Sequence, residues 1–311
     1  MIRTETHGDN LTGILLMLAA MALFAVEDLF LKWAAAGLPL GQIVLISGAF
    51  GAPVFVLMAW RSGLGIFVKD AVHPAVLARN IGEMVGTASF IAALAVVPLG
   101  TVAAVLQAMP LAVTMGAALV FGERVGWRRW TAIAVGFAGV LLVIRPGSEG
   151  FRVEALLVLV TVAGMTLRDL ATRAIPRNVT TAQISAWGLM AVAVLGCGML
   201  GVTGGARVVT GAEVLVLLGA LVFGTAGYWA VTSATRTGEV AVVAPFRYSR
   251  LVFSMGLGVV FLAERPDGLT ILGAALIVGS GLYAFARERA RKRASHGPGG
   301  GVKGPGERNS A

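Results

Sequence analysis

One cysteine and three histidines occur in 311 residues, and only 13% of the chain is charged. A single thiol, Cys197, excludes an intrachain disulfide framework or a thiolate metal site. It lies in the apolar run AWGLMAVAVLGCGML and reads as a small buried filler. His7, His73 and His296 fall in expected loops or tails, which removes the usual ligands of an intramembrane metalloenzyme, so no metal or other cofactor is implied. Acidic residues are scarce as well, 16 against 25 lysines and arginines, for a net charge of +9. Such a balance suits nucleic acid, yet the cations sit at the ends of apolar runs and in the tail, not on an interleaved basic and aromatic surface. Nucleic acid is therefore excluded as a partner. Long polar connections are also missing: GLPLG, VPLGT, IRPGSEG, GVTGGAR and AERPDG are short and rich in breakers, with no room for a soluble domain.

What fills the chain instead is apolar: 57% of residues are hydrophobic, as in an integral membrane protein whose partner is the lipid bilayer. About 20 mostly apolar residues cross roughly 30 Å of hydrocarbon as a helix. Ten segments meet that requirement, near 11–33, 40–60, 75–97, 99–121, 128–145, 154–174, 181–203, 211–234, 239–262 and 268–287. The first is too long for the apolar core of a signal peptide and has no clear cleavage site after it, so it is expected to stay in the mature chain. Residues 1–10 read as a short cytoplasmic segment, and 288–311 as a disordered basic cytoplasmic tail. Ten spans put both termini on one side. With the termini in the cytoplasm, 18 of the 25 cations lie at inside ends, among them Arg3, Arg61, Lys69, Arg124, Arg128, Arg129, Arg173 and Arg236; Lys32, Arg145, Arg152, Arg207 and Arg265 lie outside. A bacterial inner-membrane protein with cytoplasmic termini is expected.

The chain repeats itself weakly. FGERVGWRRWTAIAVGFAGVLLV (121–143) and LAERPDGLTILGAALIVGSGLYA (262–284) place Glu123 and Glu264, and Arg124 and Arg265, 141 residues apart, after the fourth and ninth spans. A unit of five helices ends on the side opposite its start, so its second copy must be inverted. Two repeats, 11–146 and 147–287, are expected. Inverted repeats recur in secondary transporters, with the substrate near the midplane between the halves; a fused duplication without transport is the other reading. Gln107, Pro110 and Thr114 in the fourth span share their spacing with Arg247, Arg250 and Ser254 in the ninth, so each half carries a polar helical face. Arg250, at 1.5 Å per residue from Glu239, is expected about 16 Å deep, too deep to reach the interface. Pro110 and Pro245 each remove an N–H and free carbonyls that must face protein or a wet cavity.

More ionisable residues lie inside expected spans: Glu27, Asp28 and Lys32 in the first, Arg79 and Glu83 in the third, Arg168 and Asp169 in the sixth. A lone central charge costs about 3 kcal/mol, so each must pair or meet water. Arg79 and Glu83 are expected to pair along their helix, Asp28 and Asp169 to be hydrated near span ends, and Glu83 or Glu27 to face Arg247 and Arg250. The arginine pair is either an interhelical lock or a fork for a carboxylate, phosphate or other planar anionic group of a substrate. Tyr248, Phe246, Trp187, Tyr228, Trp229 and Phe90 are candidate aromatic walls, or plain packing. Glu27 or Glu83 is a candidate carrier of a coupling proton. Small residues in VGFAG, GLGVV and GAALIVGSG allow close helix packing.

At FGERVGWRRWTAIAVGFAGVLLVIRPG (121–147), VVAPFRYSRLVFSMGLGVVFLAERPD (242–267) and LGAALIVGSGLY (272–283) the chain resembles the EamA family of the drug/metabolite transporter superfamily. LFAVEDLFLKWAAAGLPLGQIV and TSATRTGEVAVVAPFRY resemble the subgroup that includes bacterial riboflavin and S-adenosylmethionine transporters. The resemblance implies ten helices in two inverted five-helix repeats, a cavity lined by the first, third, fourth, sixth, eighth and ninth spans, and transport without ATP hydrolysis. It touches Glu123, Glu264, Pro110, Pro245 and Tyr248, which it implies are structural signatures. Early in the second span the chain departs from the pattern, with Gln42, Ser47 and Gly48 where many members carry an arginine. The expected function is alternating-access transport of a small organic metabolite by a monomer or homodimer, with Arg247, Arg250, Tyr248, Gln107, Glu83, Trp187 and Tyr228 at the substrate and Glu27 and Asp28 in coupling or charge pairing. The alternatives are an exporter of the same family, or a membrane scaffold or enzyme; no catalytic constellation speaks for an enzyme.

Overall fold

The computed structural model describes residues 7–66, 68–123, 125–147 and 153–295; Arg3, Arg124, Arg152 and His296 lie outside the described residues. All regular elements among them are helical. In order they are α1 (His7–Gly37), α2 (Leu40–Arg61), α3 (Pro74–Val96), α4 (Leu99–Leu106), α5 (Met109–Phe121), α6 (Trp127–Ile144), α7 (Leu156–Arg173), α8 (Thr181–Thr203), α9 (Gly211–Thr237), α10 (Val240–Val243), α11 (Ser249–Leu262) and α12 (Gly268–Ser295), with a 3-10 segment, Ala244–Tyr248, joining α10 to α11.

Local chemistry sets many of the boundaries. Pro39 and Pro98 stand just before α2 and α4, and Pro74 opens α3 behind a His73 cap. Thr180 with Gln183, and Thr210 with Glu213, form reciprocal capping boxes that start α8 and α9. Gly122 closes α5 in the left-handed conformation that glycine adopts without penalty. Ala263 closes α11 in nearly the same conformation at φ 53°, although a Cβ there costs about 1 kcal/mol.

Among the described residues, eight stretches are long and apolar enough to cross a membrane: Asn10–Gly37, Leu40–Arg61, Leu99–Phe121, Trp127–Ile144, Val153–Arg173, Thr181–Thr203, Gly211–Thr237 and Gly268–Ala290. The two other expected spans differ for physical reasons. Arg79, Asn80 and Glu83 lower the hydropathy of α3, and the ninth is broken, its longest continuous α-helix being the 14-residue α11. The fourth span is broken too, between Leu106 and Met109, where Gln107 and Ala108 donate to carbonyls three residues back and Pro110 follows inside the next helix. α12 continues past Arg287 to Ser295, because RERARKRAS is rich in residues that favour helix and Arg129 pairs with Glu288 at 3.2 Å.

Helices pack in a repeated scheme: α1 along α9, α7 along α3, α2 along α8, α6 along α12, and α11 against both α1 and α4. Contact is close because small residues face backbone; a Cβ on Gly164 would lie 2.6 Å from the Gly86 N. Leu94, Val102, Val105, Ile43 and Val44 are almost wholly enclosed in the main core. Cys197, expected as buried filler, is exposed on α8: in a membrane protein an apolar run says that a face is apolar, not that it is covered by protein.

Candidate functional site

Charged side chains from α1, α3, α7 and the broken ninth span gather in the interior as two clusters. In the first, Arg250 at the start of α11 grips Asp28 of α1: Nη2 lies 2.7 and 2.8 Å from the two carboxylate oxygens, and Nε donates across 3.1 Å. Asp28 is only 2% exposed, and the Arg250 guanidinium also sits 5.2 Å from the Phe24 ring centroid. Asp28 was expected to be hydrated near a span end; instead it is sealed, because a fork-shaped donor replaces the water it loses. Glu27, its neighbour, turns toward α9, where its carboxylate lies against Gly224 and any larger residue would collide with it.

The second cluster joins α3 to α7. Glu83 accepts from Arg79 at 2.9 Å, the pairing expected from their spacing, and meets Arg168 at 3.5 Å. Arg168 in turn donates through Nε to Asp169 at 2.8 Å. Arg79 is buried in a notch at Gly188 of α8. Glu83 and Glu27 are thus not the direct ion-pair partners of Arg247 and Arg250: Asp28 holds Arg250, and Glu83 is taken by Arg79 and Arg168.

Between the clusters the two helix breaks meet. Gln107, at the break in the fourth span, donates its amide to the carbonyls of Tyr248 at 3.2 Å and Arg247 at 3.4 Å, at the end of the 3-10 segment that breaks the ninth. The break beside Pro245 frees carbonyls, and a side chain from the other break satisfies them. Arg247 itself is exposed, and no side chain among the described residues forms a hydrogen bond or ion pair with its guanidinium. The charges nearest in effect are Asp169, which attracts it, and Arg250 and Arg168, which repel it.

The aromatic candidates scatter. Trp187 is buried and donates its indole N–H to the Ile66 carbonyl at 2.9 Å, so it fastens a loop and does not line the centre. Tyr248 presses its hydroxyl into Gly281 of α12, away from the clusters. Tyr228 is 46% exposed and stacks edge-on to Phe55 of α2, with centroids 5.9 Å apart. Phe246 packs beside Met17, Met21 and Val243, and Phe90 against the main core.

Each end of the molecule carries polar ties. Gln42 exchanges both amide bonds with the Arg207 backbone, at 3.0 and 3.1 Å, and Gln183, 141 residues later, donates to the Gly65 carbonyl at 2.6 Å. Glu264 accepts from the backbone N–H groups of Leu99 at 2.6 Å and Gly100 at 3.1 Å, capping α4, while Lys32 donates to the carbonyls of Leu94 at 2.8 Å and Val97 at 2.6 Å. At the opposite end Glu123 and Arg173, each 141 residues from Glu264 and Lys32, pair with each other at 3.2 Å, both about half exposed. Outside the spans, Arg145 binds Asp267 and reaches Thr270. Those hydrogen bonds hold the Asp267 carboxyl well below the usual carboxylate range.

The clamping glutamines, Lys32 and Arg173 were missed as partners in the sequence, and Asp28, expected in coupling or charge pairing, was not matched to Arg250. Their signal was present: Gln42 and Gln183, Lys32 and Arg173, and Glu27–Asp28 and Arg168–Asp169 all recur at the 141-residue interval of the two glutamates.

The chain is similar to known transporters. A riboflavin transporter of Rhizobium johnstonii is 29% identical over 283 residues, covering 90% of this chain and 93% of its own. A pseudopaline exporter of Pseudomonas aeruginosa is 28% identical, covering 90% and 97%, and an S-adenosylmethionine uptake transporter of Rickettsia prowazekii is 22% identical, covering 92% and 96%. A solved crystal structure, 21% identical, superposes with a TM-score of 0.57 over 90% of this chain and 98% of that one, so the fold is shared. The EamA-like transporter family model matches twice, at residues 11–145 and 152–285, and the chain belongs to that family.

Proposed function

We propose that this protein is a secondary carrier of a small organic metabolite in the bacterial inner membrane, working by alternating access of two inverted five-helix repeats, 11–146 and 147–287, with both termini cytoplasmic. The observation that carries the proposal is the unequal state of two sequence-equivalent ends. Glu264 and Lys32 hold one end shut by gripping the backbone around α4, whereas Glu123 and Arg173 leave the corresponding backbone, at the start of α10, and neutralise each other. A carrier with pseudo-symmetric halves needs that difference, since only one end opens at a time. Glu264 then marks the closed outer end and Glu123 the open cytoplasmic end.

In this reading the substrate sits where the broken spans cross, near Arg247, Arg250 and Gln107, with Glu83 and Tyr228 on the approach. Tyr248 and Trp187 brace the walls, and Pro110 and Pro245 set the breaks. Asp28 is the charge pair of Arg250, and Glu27 carries the coupling proton. The relatives named as riboflavin and S-adenosylmethionine transporters point to a vitamin or a nucleoside-like cofactor; the relative named as a pseudopaline exporter supports export of an amino-acid-like compound as the second reading. Reconstituted into liposomes, the protein is expected to exchange at least one of riboflavin, S-adenosylmethionine or an amino-acid-like metabolite by counterflow without ATP. Saturable binding with no flux of any of them contradicts the carrier and favours a scaffold.

A further inference from the structure

The two arginines of the ninth span have different surroundings, and the difference assigns their roles. Arg250 is committed: Asp28 occupies the Nε and Nη2 edge of its fork and the Phe24 ring lies over it. Arg247, three residues earlier, has a carbonyl fixed by Gln107 but a guanidinium that is exposed and has no hydrogen-bond or ion-pair partner among the described residues. Asp169, the carboxylate that attracts it, already accepts from Arg168. An exposed guanidinium without an ion-pair partner among the described residues, in a chain this apolar, is open to a group bearing negative charge.

We infer that Arg247 is the anchor for a carboxylate or phosphate of the carried metabolite, while Arg250, beside the same site, is an interhelical lock that gives the metabolite no ion pair. The inference rests on the carrier reading and gives it a ligand class. A planar fork with five N–H donors suits a bidentate oxyanion, and the geometry leaves the fork's base immobile because Gln107 pins the backbone beneath it.

The test combines arginine labelling with ligand binding, using purified protein and its variants. Phenylglyoxal, which attacks accessible arginines, is expected to label Arg247 faster than Arg250 by peptide mass spectrometry. S-adenosylmethionine, flavin mononucleotide and a mixture of free amino acids are the oxyanion probes; riboflavin, which has neither carboxylate nor phosphate, is the control. At least one oxyanion probe is expected to protect Arg247, and Arg247→Gln is expected to weaken its binding roughly 10- to 100-fold. Arg247→Lys keeps charge without the fork and falls between. The melting temperature without ligand should be unchanged in Arg247→Gln and lowered in Arg250→Gln. Equal labelling of the two arginines, protection by riboflavin alone or by no probe, or a melting temperature lowered as much in Arg247→Gln as in Arg250→Gln overturns the assignment. Counterflow in liposomes separates the two failures: flux that persists with Arg247 unprotected sinks this inference and spares the carrier, and protection without flux does the reverse.

Discussion

Glu264 and Glu123 leave their helices by the same route and end in different places. Both follow a left-handed residue, Ala263 at φ 53° and Gly122 at φ 65°, and both backbone N–H groups return six residues, to Gly258 and to Ala117. One then caps α4, and the other meets an exposed arginine. Because the backbone that launches them is alike, the difference comes from what stands opposite, namely whether the first turn of the facing helix is within reach. The glutamine clamps at Gln42 and Gln183 instead each hold a loop backbone of the other half, at Arg207 and at Gly65. In the proposed carrier, contacts that match between the halves belong to the rigid frame, and contacts that differ belong to the part that moves.

The largest effect is expected where a contact has no counterpart. Asp28→Ala leaves Arg250 buried and unpaired and should cost about 3–5 kcal/mol, read as a large fall in melting temperature in detergent; a melting curve like that of the unaltered protein would break the distinction between lock and anchor. Glu264→Ala strips two backbone donors of a charged acceptor, at about 1.5–3 kcal/mol for each charge-assisted bond, and should shift the population toward the state open at that end. Glu123→Ala removes an exposed pair worth about 0–1 kcal/mol and should leave melting unchanged while slowing transport, since its cap is needed only in the other state. Equal effects of the two alanines on melting would erase the comparison. Gln42→Ala and Gln183→Ala, as frame contacts, should each cost about 1–3 kcal/mol and by similar amounts.

The smallest effect belongs to Asp267. Its carboxyl is depressed by Arg145, so its contribution is present above the ordinary carboxylate range and lost as pH falls through the depressed value. Asp267→Asn should therefore melt slightly lower than the unaltered protein near neutrality, with the two converging in acid. A gap that widens in acid contradicts the assignment.

Much of this was legible in the sequence because a membrane simplifies it. Apolar length gave eight of the expected spans among the described residues, prolines stand at the two breaks, and the paired glutamates gave the interval. Asp28 was read as hydrated because it lies toward the end of its span, and nothing local says that Arg250 comes to meet it. Trp187 and Tyr248 were expected at the substrate because aromatic rings suit it; which way a ring points depends on neighbours such as Ile66 and Gly281, far away in sequence. Cys197 was misjudged because lipid and protein interior ask for the same residues. The unequal contacts of Glu264 and Glu123 could not be read at all, since both residues sit in the same sequence pattern and differ only in what faces them in the structure.

Spin labels placed in a Cys197→Ser background, at Val96 and Arg265 across one end and at Gly122 and Arg236 across the other, measure both openings by electron–electron distance. Two populations are expected, short at one end and long at the other, exchanging in opposite senses when substrate is added. Both distances short together, or one end that never changes, would contradict alternate engagement of Glu264 and Glu123.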